Sequence, residues 1–176
     1  MQCYAGRVTS FSLRALKLRS GEQYQDEQEI ALAPLEFGGQ RYLPVPEHVQ
    51  AELRATRATT GTLFELDFAG RLHGPCQRCL ADAVVERRIL SREYHAASAD
   101  ADEELRSPYI TDDKLDLSAW ARDALALALP TQILCKPDCA GLCPVCGKDL
   151  NVEPHVHEEE RVDPRWAVLE ELREKL

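Results

Sequence analysis

Cysteines and histidines crowd one stretch of this chain so closely that its backbone must wrap around something small. Cys135, Cys139, Cys143, Cys146, His155 and His157 all fall within it. Cys143-Pro-Val-Cys146-Gly147 has the C-x2-C spacing that turns two thiolates toward one ion, with Gly147 where the chain must bend sharply. A second pair, Cys76-Gln-Arg-Cys79, lies upstream. With the two histidines these cysteines make eight candidate ligands, and closed structural zinc sites use four Cys or His ligands each. The arithmetic predicts two zinc ions. Soft thiolates also suit iron, which stays open as the alternative at the Cys-Pro-x-Cys-Gly knuckle.

Disulfides are the competing reading, and the compartment decides between them. Met1-Gln-Cys-Tyr-Ala-Gly-Arg lacks the apolar core of a signal peptide, and no apolar run is long enough to span a bilayer. We therefore expect a cytoplasmic chain with no membrane contact, where C-x2-C pairs more often bind metal or do redox work than form disulfides. Cys3 is left over as a free thiol. A net charge of −9 argues against a protein that grips nucleic acid over its whole surface. Arg7, Arg14, Lys17 and Arg19 make the N-terminal segment the best candidate for a local RNA contact, though a solvated basic face is the favoured reading of it.

At 176 residues and 44% hydrophobic content, the chain can bury one core. Glu29-Ile-Ala-Leu-Ala, Glu36-Phe and Arg41-Tyr-Leu-Pro-Val read as short strands, with Gly38-Gly39 as a hairpin turn. Alternation from Val49 to Leu72 around Thr60-Gly61 predicts a second hairpin. Val85 to Tyr94 reads as a returning strand, which puts Cys76 and Cys79 at a hairpin tip. Residues 98–116 hold seven acids and few large apolar groups, so we expect an acidic mobile loop. Leu115 to Leu129 reads as a buried helix with Ser118 as N-cap, Trp120, Ala124 and Leu127 on one face, and Pro130 as its stop. Asp163-Pro164 followed by Trp166, Leu169, Leu172 and Leu176 predicts a second helix. The expected class is α+β, an antiparallel sheet with two main helices and a Cys-rich zinc-binding C-terminal element. Its organisation is a β-rich region 1–97 carrying the first Cys pair, the loop 98–116, and a helix, metal-binding element and terminal helix over 117–176, all one cooperative domain.

These residues carry a resemblance over nearly the whole chain. Cys76-Gln-Arg-Cys79-Leu80, Glu93-Tyr94, Leu127-Ala-Leu-Pro130, Leu134-Cys135, Cys139-Ala-Gly-Leu-Cys143-Pro-Val-Cys146-Gly147, Leu150-Asn151 and Asp163-Pro-Arg165 resemble the signature of the YceD family, bacterial large ribosomal RNA subunit accumulation proteins with plastid relatives. The resemblance implies a non-catalytic role in 23S ribosomal RNA synthesis, processing or accumulation. It also implies a partner that is ribosomal RNA, a large-subunit ribosomal protein or an assembly factor, with no small-molecule substrate. The acidic loop and Glu158-Glu-Glu160 would complement a basic protein. At His155-Val-His157 many members carry Cys-x-Cys, a departure that keeps ligand capacity.

Spacing leaves two ligand groupings open. The resemblance implies Cys76, Cys79, Cys135 and Cys139 in one site, with Cys143, Cys146, His155 and His157 in the other. The rival puts the four clustered cysteines together and leaves the first pair with the histidines. His48, His73 and His95 have no ligand-like spacing and are assigned no role. The enzymatic alternatives are a zinc hydrolase and a thiol oxidoreductase. Pro75-Cys76-Gln-Arg-Cys79 is half of a nucleobase deaminase signature, but no upstream His-x-Glu accompanies it. A redox thiolate would need a helix N-terminus in a βαβ setting, which the turn-like Cys pairs lack.

Overall fold

The structure is a computed structural model and describes residues 9–98 and 102–157. Its spine is two 15-residue strands, β6 (Gly61–Pro75) and β7 (Asp82–Ala96), paired antiparallel along their full length from Gly61↔Ala96 to Pro75↔Asp82. β6 alternates almost without a break. Phe64, Leu66, Phe68 and Leu72 point inward and are buried, whereas Leu63, Glu65, Asp67, Ala69, Arg71 and His73 point the other way. On its other edge, β6 pairs with β5 (His48–Arg57) through Thr62–Phe68 and with β4 (Gln40–Pro44) at Leu72 and His73. Beyond β5 lies β2 (Gln23–Ala31), and beyond β4 lies β3 (Leu35–Phe37). The β3–β4 turn needs two left-handed residues, which Gly38 and Gly39 supply with φ of 56° and 76°.

A small second sheet orders β1 (Ser10–Ser12), β9 (Lys114–Asp116) and β8 (Ile110–Thr111), with β9 in the middle. It leads into α1 (Leu117–Ala128), which buries Leu117, Trp120, Ala121, Ala124 and Leu125 against the large sheet. Gly70 in β6 makes room for the helix, since a Cβ there would lie 2.8 Å from Leu125 Cδ1. Trp120 is 1% exposed and donates its indole N–H to Ser91 Oγ on β7. Among the described residues, no helix is long and apolar enough to cross a membrane.

Several expectations are corrected. The described chain is mostly antiparallel sheet with a single α-helix, so the α+β class with two main helices does not hold. The expected second helix, over Asp163 to Leu176, lies outside the described residues, as does Cys3. Period-two alternation over 15-residue strands outweighs the one helical segment. Within the stretch expected as an acidic mobile loop, Ile110–Thr111 and Lys114–Asp116 pair as strands and Leu115 is fully buried, because two exposed aspartates, Asp112 and Asp113, turn the chain at positive φ. The helix begins at Leu117. Its cap is Asp116, whose carboxylate accepts the Ala119 N–H, while Ser118 Oγ accepts the Thr9 N–H. Leu127 is 88% exposed and stands off the buried face.

Replacing Trp120 with Ala should cost about 3–5 kcal/mol in denaturant unfolding, and Trp120→Phe less, since Phe fills most of the cavity but leaves Ser91 without its donor. Equal stability of Trp120→Ala and wild type would show that α1 does not close this sheet.

Candidate metal centres

The β6–β7 hairpin ends in the turn Cys76-Gln-Arg-Cys79-Leu80-Ala81, and the turn has a specific hydrogen-bond pattern. Cys76 N–H donates to Ala81 O at 2.7 Å, and Leu80 N–H donates back to Cys76 O at 3.0 Å. The second C-x2-C repeats it bond for bond. Cys143 N–H donates to Lys148 O at 2.8 Å, and Gly147 N–H donates to Cys143 O at 2.8 Å. In both turns the residue after the second cysteine is left-handed, at φ 73° for Gly147 and φ 62° for Leu80. A glycine takes that conformation freely, whereas a leucine is strained in it by about 1–2 kcal/mol. The two turns are one knuckle built twice.

Each knuckle gathers a four-ligand set whose donor atoms all lie within 4.8 Å of one another. The first is Cys76, Cys79, Cys135 and Cys139, and the second is Cys143, Cys146, His155 and His157. This is the grouping that the resemblance implied; the rival, which mixes Cys135 and Cys139 with Cys143 and Cys146, is not what the chain assembles. In the first set, Cys76 Sγ lies 3.7 Å from Cys139 Sγ, and Cys79 Sγ lies 3.5 Å from Cys135 Sγ. A tetrahedral zinc–thiolate centre, with bonds of about 2.3 Å, has sulfur–sulfur edges of about 3.8 Å, whereas a disulfide brings sulfurs to about 2.05 Å. The residues fit a four-coordinate thiophilic ion.

Charge makes the same point. Burial pushes Cys76 up, but the N–H groups of Cys79, Arg78 and Cys135 outweigh it and bring its pKa down to about 6. Desolvation, followed by the neighbouring sulfurs of Cys79, Cys139 and Cys76, pushes Cys135 up to about 12. One thiolate is welcome in this cluster and a further one is not, unless a cation neutralises the group. In the second set, the Cys146 N–H leads in drawing Cys143 down to about 6, with burial opposing it. His155 takes its raised pKa first from the Glu153 carbonyl and then from Cys143. Its Nδ1 lies 2.7 Å from Glu153 O and its Nε2 lies 3.1 Å from Cys146 Sγ. Donation from Nδ1 to the carbonyl leaves the Nε2 lone pair aimed at the ligand set, the arrangement a metal-binding imidazole requires.

The first set is part of the core, with Cys76, Cys79 and Cys139 each buried, whereas the second is more exposed. Sequence reading missed the residues that fasten them together. Arg78 donates its backbone N–H to Cys76 Sγ, donates its guanidinium to Cys139 O at 3.0 Å, and accepts the Leu142 N–H on its carbonyl. Gln77 donates its N–H to Ile133 O and accepts the Ile133 N–H on its side chain. Asn151 donates to Cys139 Sγ at 3.5 Å and accepts the Ala140 N–H, tying the second loop to the first cluster. Gln77, Arg78 and Asn151 all lie within or beside the cysteine motifs. Their position was the one available signal, because polar residues in loops have no periodicity to read. Among the other histidines, His95 has its Nδ1 buried without a partner among the described residues, and His48 and His73, on β5 and β6, belong to neither set.

A β-sheet protein whose longest hairpin ends in one of two cysteine knuckles defines the class. The chain belongs to the YceD family, described as large ribosomal RNA subunit accumulation proteins, whose profile matches residues 64–173. It is 36% identical over 125 residues to an uncharacterized protein of Mycobacterium tuberculosis, covering 69% of this chain and 60% of that one. It is 26% identical over 168 residues to the uncharacterized protein YlbN of Bacillus subtilis, covering 93% and 94%. The match thus spans about 60% of the length of the Mycobacterium tuberculosis and Mycobacterium bovis relatives. No solved structure matches it.

Leu80→Gly should stabilise the protein by up to about 1 kcal/mol and Gly147→Ala should destabilise it by a similar amount, as read from chemical unfolding. Opposite signs would mean the knuckles are not equivalent. Metal uptake at pH 7 should also release protons, since Cys135 is protonated until a cation joins it. Calorimetry in two buffers of different ionisation enthalpy measures this, and affinity should fall as pH drops toward about 6, where Cys76 and Cys143 begin to protonate.

Proposed function

We propose that this chain is a non-catalytic factor of large ribosomal subunit biogenesis, acting in 23S rRNA synthesis, processing or accumulation, and that two zinc ions held by the eight Cys and His ligands complete its fold. The family description carries the biological part of this reading. The two closed four-donor sets carry the metal part. A catalytic zinc keeps a position open for water or substrate, whereas four protein donors per ion leave none, so the chemistry favours structural metal over a hydrolase. A thiol oxidoreductase would need two sulfurs free to close on each other, and here each thiol faces three further donors. We read the chain as one cooperative cytoplasmic domain whose partners are ribosomal RNA, a large-subunit ribosomal protein or another assembly factor.

Elemental mass spectrometry on protein purified without a histidine tag should find two zinc ions per chain, and chelation should lower the thermal midpoint of the whole protein. Cys139→Ser, in the buried set, should destabilise it more than Cys146→Ser. Affinity capture from growing cells should recover large-subunit precursors or a ribosomal protein. Recovery of neither would overturn the biogenesis role, and a metal-free native protein would overturn the zinc reading.

A further inference from the structure

The large sheet ends in a long strand with one partner. β2 pairs with β5 alone, in unbroken register from Gln23↔Thr56 to Ala31↔His48. Arg57 N–H donates to Glu22 O at one end of this ladder and Leu32 N–H donates to Glu47 O at the other, so even-numbered residues turn their backbone groups toward β5. The odd-numbered ones, Gln23, Gln25, Glu27, Glu29 and Ala31, turn theirs outward. Ala31 N–H is taken by Thr9 Oγ1 and Glu27 N–H by Asp26 Oδ1. The N–H groups of Gln23, Gln25 and Glu29 have no acceptor among the described residues. Among the described residues, this stretch of the edge is an open template for another strand.

Its charge is one-sided. β2 carries Asp26, Glu27 and Glu29 with no base, and no Lys or Arg occurs between Arg19 and Arg41. Acids on an edge repel a second copy of the same edge, which keeps the chain from aggregating. They attract an extended cationic segment in equal measure. The other long edge, β7, balances Arg87, Arg88 and Arg92 against Asp82, Glu86 and Glu93, with Arg88 and Arg92 committed to Asp67 and Glu65. Of these two long edges among the described residues, β2 is the one whose charge is uncompensated within the strand.

We propose that β2 is the docking edge for a Lys- or Arg-rich extended protein segment, which adds to the sheet as a further antiparallel or parallel strand. Backbone hydrogen bonds to Gln25 and Glu29 supply affinity, and Glu27 and Glu29 select cationic side chains. RNA is disfavoured here because its phosphates would meet the same acids. The inference stands on the sheet edge alone, so its failure would leave both the biogenesis role and the metal centres untouched.

The test uses the full chain and a fluorescein-labelled peptide of alternating lysine and threonine, long enough to span β2, with binding read by anisotropy. A second peptide of identical charge carries N-methyl groups at alternate backbone nitrogens. The N-methylated peptide should bind about tenfold more weakly. Gln25→Pro, which removes an outward N–H that the β2–β5 ladder does not use, should weaken the parent peptide by a similar factor while circular dichroism and thermal unfolding stay unchanged. The double variant Glu27→Lys with Glu29→Lys should abolish binding. Equal affinity for the two peptides would overturn the proposal even if Gln25→Pro failed to fold. So would preferential binding of a single-stranded RNA oligonucleotide to this edge, or self-association of the chain in place of peptide binding.

Discussion

Four cysteine sulfurs from two distant parts of the chain converge at the end of the longest hairpin, and four thiolates cannot stay that close without a positive charge among them. The energetic signature is the split between Cys76, drawn down to about 6 by backbone N–H groups, and Cys135, pushed up to about 12. A shared cation would reconcile the two, because it would turn mutual repulsion into common ligation. The rest of the fold hangs on this junction. Through Gln77 and Arg78 the hairpin tip is hydrogen-bonded to Ile133, Cys139 and Leu142, so the segment following α1 is anchored although its described residues, 129–157, form no strand or helix.

The sheet explains why the junction sits where it does. The alternation of β6 carries the inward face from Phe64 through Leu66, Phe68 and Leu72 to Cys76, with Gly70 and Gly74 at the positions between. The first knuckle therefore closes the core, with Cys76 fully buried as the last inward residue of that row. The second knuckle copies its hydrogen bonds in a more exposed setting and depends on the first through Asn151. A left-handed Leu80 at the position where the second knuckle has Gly147 suggests that the buried site can absorb local strain because packing over-determines it.

Function follows from this division of labour. On the reading proposed above, both four-donor sets hold the chain together, which leaves the surfaces of the sheet as the parts able to recognise something else. A net-acidic protein in a ribosome-related family has a ready source of affinity in basic protein segments, and its charge is distributed unevenly enough, along β2, for that affinity to have a location.

Much of this was legible in the residues. Gly38-Gly39, the Thr60-Gly61 hairpin, the alternation of β5 and β6 and the hairpin-tip position of Cys76 and Cys79 all follow from period-two patterning and turn chemistry, which are local. The eight candidate ligands were equally plain, because C-x2-C spacing is a local signal. What local pattern could not reach was pairing across the chain. The strand at Lys114–Asp116 was invisible as such, since its three residues pair with only two in the adjacent Ile110–Thr111 and with the distant Ser10–Ser12, and its one apolar side chain, Leu115, is buried by tertiary contacts. Asp116, rather than Ser118, caps the helix because Thr9 claims the serine. By itself, then, the sequence determined the strands β5, β6 and β7, the two C-x2-C turns and the candidate donor residues, each written within a few residues. Which candidate donors come together, and which strand is left with a free edge, were decided only by tertiary structure, because both depend on distances between segments that the chain must fold to bring together.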